Sequence, residues 1–133
     1  MKNVNVRIAG ILRFLPAFLI VSVSWHLSSL ERVEHMPTFW NADKLVHALC
    51  FAGLSFWLAF AFGTPSFRRA WIPFLATSLY GVVDEIHQSF TPGRSSSVFD
   101  WLADTAGGFF GACAFVLFVS IFFGKRREDE RND

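Results

Sequence analysis

The sequence predicts an all-α membrane protein built as a bundle of four transmembrane helices. Hydrophobic residues make up 53% of its 133 residues and charged residues only 17%, whereas an average soluble domain is about 25% charged. The chain also contains 17 phenylalanines and 5 tryptophans, which is more aromatic surface than one small soluble core can bury. A bilayer can accommodate that surface, so we expect a single membrane domain.

Four apolar runs predict the four helices. Crossing about 30 Å of hydrocarbon takes about 20 helical residues, and the runs lie at 14–30, 45–62, 70–87 and 100–123. The third run gives the weakest signal, because it ends in Asp84 and Glu85. The first begins like a signal peptide, but no small-x-small cleavage site follows it, so we expect it to be retained. Residues 125–133 alternate in charge and predict a short, solvated tail.

The basic residues predict the orientation of the bundle. Lys and Arg favour the cytoplasmic side of short loops. Three clusters fall before the first run, between the second and third, and after the fourth: Lys2, Arg7 and Arg13; Arg68 and Arg69; Lys125, Arg126 and Arg127. The loops on the other side are mixed or acidic, or carry a single Arg. We therefore predict a multi-pass plasma-membrane protein with both termini cytoplasmic. A net charge of +1 leaves no basic surface for nucleic acid.

Most of the remaining polar side chains fall at the outer ends of the predicted helices. Three pairs stand four residues apart, at 43/47, 84/88 and 100/104, so each pair shares one helix face. Ionisable groups in a membrane are costly, and they normally face the bundle interior or a water-filled cavity. We predict one outer-facing polar pocket lined by Asp43, Lys44, His47, Asp84, Glu85, Gln88, Arg94, Asp100 and Asp104.

Some of these residues also have a purely structural explanation. Asp43 and Asp100 stand at helix N-termini, where carboxylates are favoured. Glu85 resists that explanation, because a helix C-terminus repels a carboxylate. Arg94 follows a Thr-Pro-Gly turn that can bring its guanidinium back over Glu85, so we expect these two residues to form an ion pair.

Small residues recur in the fourth run. Ala103, Gly107 and Gly111 have four-residue spacing, a pattern that lets membrane helices approach closely. We expect this pattern to serve packing within the chain rather than a dimer interface. The oligomeric state stays open.

Three motifs together resemble the VanZ-like family of small bacterial membrane proteins. They are DKLVH at 43–47, YGVVDEIHQSFTPGRSSSVFDWLAD at 80–104, and the GGFFG that follows. The resemblance places the family's characteristic polar residues on the nine positions of the predicted pocket, although many relatives have Asn at the position of Asp104. The family's founding member is associated with low-level resistance to the glycopeptide antibiotic teicoplanin, which implies a role at the bacterial cell envelope.

The predicted pocket suggests a ligand from the envelope. Arg94 with Lys44 could hold a lipid-linked or anionic headgroup, with membrane lipids as the surrounding partners. Glu85, Asp100 and Asp104 could bind a divalent cation, although the sequence makes no cofactor evident.

Chemistry at this pocket stays open at the level of sequence. Glu85, His47 and Asp100 are the candidate catalytic residues, as general bases or as a proton carrier near neutral pH, but no known catalytic spacing is present. The alternative is a non-catalytic protein whose charges form a structural network or present a surface to a partner. A transporter is a weaker alternative, because four short helices leave little room for alternating access.

Overall fold

The computed structural model describes residues 10–31, 39–64 and 66–132, and this part of the chain is all-helical, without strands. Its helices are α1 (Leu15–Ser28), α2 (Ala42–Ala61), α3 (Trp71–Gln88) and α4 (Val98–Asn132), with a 3-10 turn at Phe67–Arg69 between α2 and α3. The predicted all-α class and its four long helices are confirmed.

Three helical segments are long and apolar enough to cross a membrane. They are Gly10–Ser28, Ala42–Ala61 and Val98–Phe123. Helix α3 is not among them within the described residues; it has 18 residues and ends in an acidic pair and a Gln. The chain is therefore a membrane protein with three candidate spans, and a fourth crossing by α3 stays a prediction.

The outer surface of the bundle is apolar. On α1, Phe18 is 64% exposed and Val23 is 56% exposed, while on α4 Phe110 is 66% exposed. Only Ala17, Ser24 and Ser28 of α1 are buried, so the apolar side chains of this helix point mainly outward. An apolar surface of this extent requires hydrocarbon rather than water around it.

The helices run up and down, so the carboxyl ends of α1 and α3 lie beside the amino ends of α2 and α4. Ser28 contacts Asp84 and Lys44 contacts Asp100 at this end, which we call the polar end. At the opposite end, Phe14 before α1 packs edge-to-face on Phe62 after α2, with ring centroids 5.4 Å apart.

Helices α2 and α4 touch backbone to backbone. A Cβ atom added to Gly107 would lie 2.1 Å from the Ala48 carbonyl oxygen, and one added to Gly111 would lie 2.0 Å from that of Ala52. Only glycine permits such an approach, because any side chain would overlap the neighbouring helix. The predicted packing of small residues within the chain is confirmed.

Helix α4 is longer than predicted. The sequence predicts an apolar helix ending at Phe123 and a solvated tail from residue 125, but the helical backbone continues to Asn132. Lys, Arg and Glu are good helix formers, and extending an existing helix requires no new nucleation. The charged tail can therefore continue the helix beyond the apolar span, which ends at Phe123.

Some of the charged residues that predict the orientation lie outside the described part of the chain. Lys2, Arg7, Arg32 and Glu34 fall in the ranges that are not described, as do Asp133 and the side chains from residue 124 onward. The cytoplasmic placement of the termini stays a prediction.

Candidate functional site

Lys44 ties the amino ends of α2 and α4 together. Its Nζ lies 2.7 Å from Asp100 Oδ1 and 3.0 Å from Asp43 Oδ2. The Lys44 side chain is one-third exposed and that of Asp100 is mostly buried. Two carboxylates of the protein therefore already compensate this ammonium group, although the sequence suggests that it could hold an anionic ligand.

Asp84 ties α3 to α1. Ser28 Oγ donates to Asp84 Oδ1 at 2.7 Å, and Gln88 Nε2 donates to Asp84 Oδ2 at 3.0 Å. Gln88 Nε2 also lies 3.3 Å from Ser28 Oγ. All three side chains are buried, so both carboxylate oxygens of Asp84 are satisfied within the helix packing.

Arg94 binds the carboxyl end of α1. Its Nε donates to the Leu30 carbonyl at 3.1 Å, and its Nη2 donates to the Leu27 carbonyl at 3.3 Å. Thr91 Oγ1 donates to the Ser28 carbonyl at 3.0 Å in the same region. The last carbonyls of a helix have no partner within the helix, and the loop after α3 supplies donors for those of α1.

The predicted ion pair between Glu85 and Arg94 is wrong. Among the described residues no ion pair joins them; Arg94 instead donates to α1 carbonyls, and Glu85 Oε2 accepts the backbone N–H of Ser97 at 2.5 Å. The turn after α3 directs the guanidinium over α1 rather than back over α3. The backbone donor takes one oxygen of Glu85, and the other, Oε1, has no hydrogen-bond partner among the described residues.

Three side chains meet at the centre of the polar end, and we call His47, Glu85 and Asp104 the central cluster. One nitrogen or oxygen atom from each lies within 4.8 Å of the others, and His47 Nδ1 is 2.9 Å from Asp104 Oδ1. Asp104 is fully buried and Glu85 is 7% exposed. The residues come from α2, α3 and α4, each about one to two turns from the helix end.

Each carboxylate of the central cluster has one oxygen without a partner. In the described part of the chain, no hydrogen-bond partner contacts Glu85 Oε1 or Asp104 Oδ2. The other buried polar atoms without a hydrogen-bond partner among the described residues are the hydroxyls of Ser55 and Thr77. Their burial costs less, because they carry no charge. The central cluster is therefore where the polar end is least satisfied.

Three neighbours of the site are not indicated by charge in the sequence. Ser24 and Ser28 are buried on one face of the otherwise apolar α1, and their four-residue spacing is the signal that could have revealed them. Gly81 lies against α4, where an added Cβ would be 3.2 Å from Asp104 Cβ. The glycine leaves room for Asp104 between the helices.

Two cavities border the central cluster. The first has a volume of about 90 Å³, which is enough for a few water molecules. The second, between α3 and the start of α4, has a volume of about 360 Å³, within the range of small-ligand pockets. His47 lines the first and Glu85 lines the second, so the cluster lies between them. The polar lining residues of the first are Ser24, Ser28, His47, Cys50, Asp84, Gln88 and Arg94.

Comparison with known protein families identifies the family of this chain. The model of the VanZ/LLP1 family matches residues 4–119. The chain belongs to the VanZ-like family. The match extends beyond the three motifs to include α1 and most of the apolar part of α4. No curated protein and no solved structure matches the chain.

The charge balance of this VanZ-like site favours a cation over a free anion. The nine predicted pocket residues comprise five carboxylates, two permanent cations, one histidine and one glutamine. Lys44 is bound by carboxylates and Arg94 by carbonyls, so neither approaches the central cluster as a partner. A cation or a proton is the addition that would offset the burial of two carboxylates there.

Proposed function

We propose that this VanZ-like protein binds or processes a cell-envelope component with a lipid-linked or anionic headgroup at its polar end. The observation that carries the proposal is the pair of buried carboxylate oxygens, Glu85 Oε1 and Asp104 Oδ2, that have no partner among the described residues. A buried unpaired polar group typically costs about 1–3 kcal/mol, and more if it is charged. Retaining two such groups beside two cavities is expected of a binding or reacting site rather than of simple packing.

The lining of the second cavity supports a lipid as the ligand. Val82, Ile86 and Val98 are exposed apolar residues at its rim, while Glu85 and Ser97 supply polar groups inside it. An acyl chain would pack on the apolar rim as it does on the outside of the bundle, and a headgroup would reach the polar groups. This combination suits an amphipathic ligand that arrives from the bilayer.

We place this site at the outer face of a bacterial plasma membrane, because the basic clusters of the sequence predict cytoplasmic termini in a multi-pass chain. The association of the family's founding member with teicoplanin resistance adds glycopeptide susceptibility as a cellular readout. A chemical step at the headgroup would draw on Glu85 or His47 as proton acceptor. Asp100 is a weaker candidate for that role, since Lys44 engages it.

A second candidate function is non-catalytic, with the charges serving as a structural network or a partner surface. The contacts of Asp84, Lys44 and Arg94 favour it, because each joins two segments of the chain. These residues account for much of the predicted pocket. The central cluster is the part that this candidate leaves unexplained.

Lipid retention by the purified protein separates the two candidates. The full-length chain and its Glu85→Gln variant are extracted in mild detergent, and co-purified lipids are identified by native mass spectrometry. Glu31→Gln is the matched control, because it removes a carboxylate from an exposed position just after α1, at the same end. We expect a specific lipid on the wild type and the control that is reduced at least tenfold on Glu85→Gln, because the variant lacks the carboxylate that a donor of the headgroup would meet, with unchanged melting temperatures.

Two results would contradict the proposal. One is equal lipid retention in all three proteins, which would mean bulk lipid rather than a site. The other is a loss of folding in Glu85→Gln while the wild type retains no specific lipid, which would support the structural network.

A further inference from the structure

We infer that His47, Glu85 and Asp104 form a binding site for one divalent transition-metal ion of the Zn²⁺ or Mn²⁺ kind. The three side chains come from three different helices and bring one imidazole nitrogen and two carboxylate oxygens within 4.8 Å of one another. Such a spacing is close to what one ion needs, because Zn²⁺ binds these atoms at about 2.0–2.2 Å and its ligands therefore lie up to about 4 Å apart. Side-chain movements of less than about 1 Å would close the remaining distance.

The unpaired oxygens are an independent observation that points to a ligand. Asp104 is fully buried and Glu85 is 7% exposed, yet in the described chain Asp104 Oδ2 and Glu85 Oε1 have no donor. The opposite oxygen of Glu85 accepts the backbone N–H of Ser97. Asp104 Oδ1 lies 2.9 Å from Nδ1 of His47, which is itself one of the three proposed ligands. In proteins, metal-binding carboxylates are oriented by hydrogen bonds from neighbouring groups that do not bind the metal.

Charge also favours a divalent ion. Two ionised carboxylates with a neutral imidazole carry two negative charges, which one divalent cation balances. Lys44 is held by Asp43 and Asp100, and Arg94 by the carbonyls of α1, so neither described cation neutralises the cluster. Burying two carboxylates without a cation costs several kcal/mol per ion.

The donor set selects the class of metal. Imidazole nitrogen with carboxylate oxygen suits Zn²⁺, Mn²⁺ and Fe²⁺, whereas Ca²⁺ and Mg²⁺ prefer oxygen ligands alone. Three protein ligands leave at least one coordination position open, which is typical of metal sites that bind or activate a further ligand. The cavities lined by His47 and Glu85 give access to the cluster.

An open position would also explain how an acidic site accepts an anionic headgroup. A phosphate oxygen could complete the coordination of the ion, and the metal would then supply the positive charge that Arg94 and Lys44 do not. This last step rests on the proposed function, whereas the metal site itself does not.

Metal binding to the full-length protein in detergent tests the site. The protein is stripped with EDTA, the chelator is removed, and ZnCl₂ or MnCl₂ alone is titrated by calorimetry. We expect one equivalent to bind the wild type, and we expect Asp104→Asn and Glu85→Gln each to weaken binding by more than the roughly tenfold to hundredfold seen when supporting groups of a metal site are removed. Glu31→Gln, which removes an exposed carboxylate just after α1 at the same end, is the control that should bind as the wild type does.

The ligand shell of the wild type provides a test that needs no variant. Cys50 lines the first cavity, so adventitious Zn²⁺ would bring in sulfur at about 2.3 Å, whereas the proposed site contains only nitrogen and oxygen at about 2.0–2.2 Å. X-ray absorption at the zinc edge with one equivalent bound distinguishes these shells. A sulfur ligand, no saturable binding, or equal binding by wild type and both cluster variants would overturn the inference.

Measuring metal binding and lipid retention on the EDTA-treated and the metal-loaded protein tests the metal site and the lipid site independently. If the EDTA-treated wild type keeps a specific lipid that Glu85→Gln loses, and no metal binds, the metal site is refuted while the lipid site stands. If one Zn²⁺ binds through Glu85 and Asp104 but no lipid is retained with the metal present, the metal site stands and the proposed function fails.

Discussion

Replacing Gly107 with alanine should separate α2 from α4 next to the central cluster. The added Cβ would lie 2.1 Å from the Ala48 carbonyl oxygen, and ordinary contacts begin at 3.4 Å. The two backbones must therefore move apart by about 1.3 Å at this level, since a backbone carbonyl cannot rotate away as a side chain can. Overpacking costs about 1–3 kcal/mol, and better helix propensity returns about 1 kcal/mol. With backbone as the obstacle, we expect a net loss of about 2 kcal/mol.

The same movement should weaken the metal site. Ala48 adjoins His47, and Gly107 lies about one turn after Asp104, so the 2.9 Å contact between His47 Nδ1 and Asp104 Oδ1 should lengthen to about 4 Å, beyond hydrogen-bond range. Gly111→Ala makes an equal clash one turn farther away, at 2.0 Å from the Ala52 carbonyl oxygen. It should lose similar stability with a smaller effect on Zn²⁺ affinity.

Thermal unfolding in detergent, followed by Zn²⁺ titration, measures both effects. The matched control is Gly53→Ala on α2, because its added Cβ would meet its nearest neighbour at an ordinary 3.6 Å. This variant should be as stable as the wild type or more stable, by up to about 1 kcal/mol. A Gly107→Ala protein with the melting temperature of the wild type would refute the close backbone contact between α2 and α4.

Three further predictions concern other parts of the polar end. A double-mutant cycle of Lys44→Gln and Asp100→Asn, scored by thermal unfolding, should give a coupling of about 1 kcal/mol, the upper range for partly exposed pairs; additive losses would show that the pair contributes nothing. Arg94→Lys keeps the charge but loses the forked donors to the carbonyls of Leu27, in α1, and of Leu30, two residues after it, so its melting temperature should fall nearly as far as that of Arg94→Ala. A wild-type melting temperature for Arg94→Lys would show that these two hydrogen bonds do not stabilise the protein. Ser95→Cys in a cysteine-free background should react with a membrane-impermeant thiol reagent in intact cells, and labelling only after permeabilisation would reverse the predicted orientation.

The helices were predictable because apolar length is a strong signal. The runs at 14–30, 45–62 and 100–123 correspond to segments that qualify as membrane spans, whereas the run ending in Asp84 and Glu85 does not. The helical tail after Phe123 was not predictable from apolar periodicity, since the propagation of a helix into charged residues does not depend on an apolar face. Gly107 and Gly111 were found by spacing alone, because close helix contact requires small residues at a fixed period.

The pairing of side chains at the polar end could not be predicted in the same way. Sequence proximity suggested Arg94 as the partner of Glu85, but the partner is a backbone N–H at Ser97. Every residue except proline has such a donor, so it leaves no trace in the sequence. Likewise, nothing in the spacing within each helix shows that His47, rather than Asp100, shares the centre with Asp104, because that depends on how α2 and α4 are rotated about their axes.

The acidic end of α3 has a consequence for biosynthesis. Two residues that Glu85 meets, Ser97 and Asp104, follow it in the chain, so they leave the ribosome after α3 has been made. Carboxylates are costly in a helix that inserts alone, and α3 is not apolar enough to rank with the other spans. If α3 crosses the bilayer as predicted, it has to enter together with α4 as a helical hairpin. A chain truncated before α4 would then leave α3 outside the hydrocarbon.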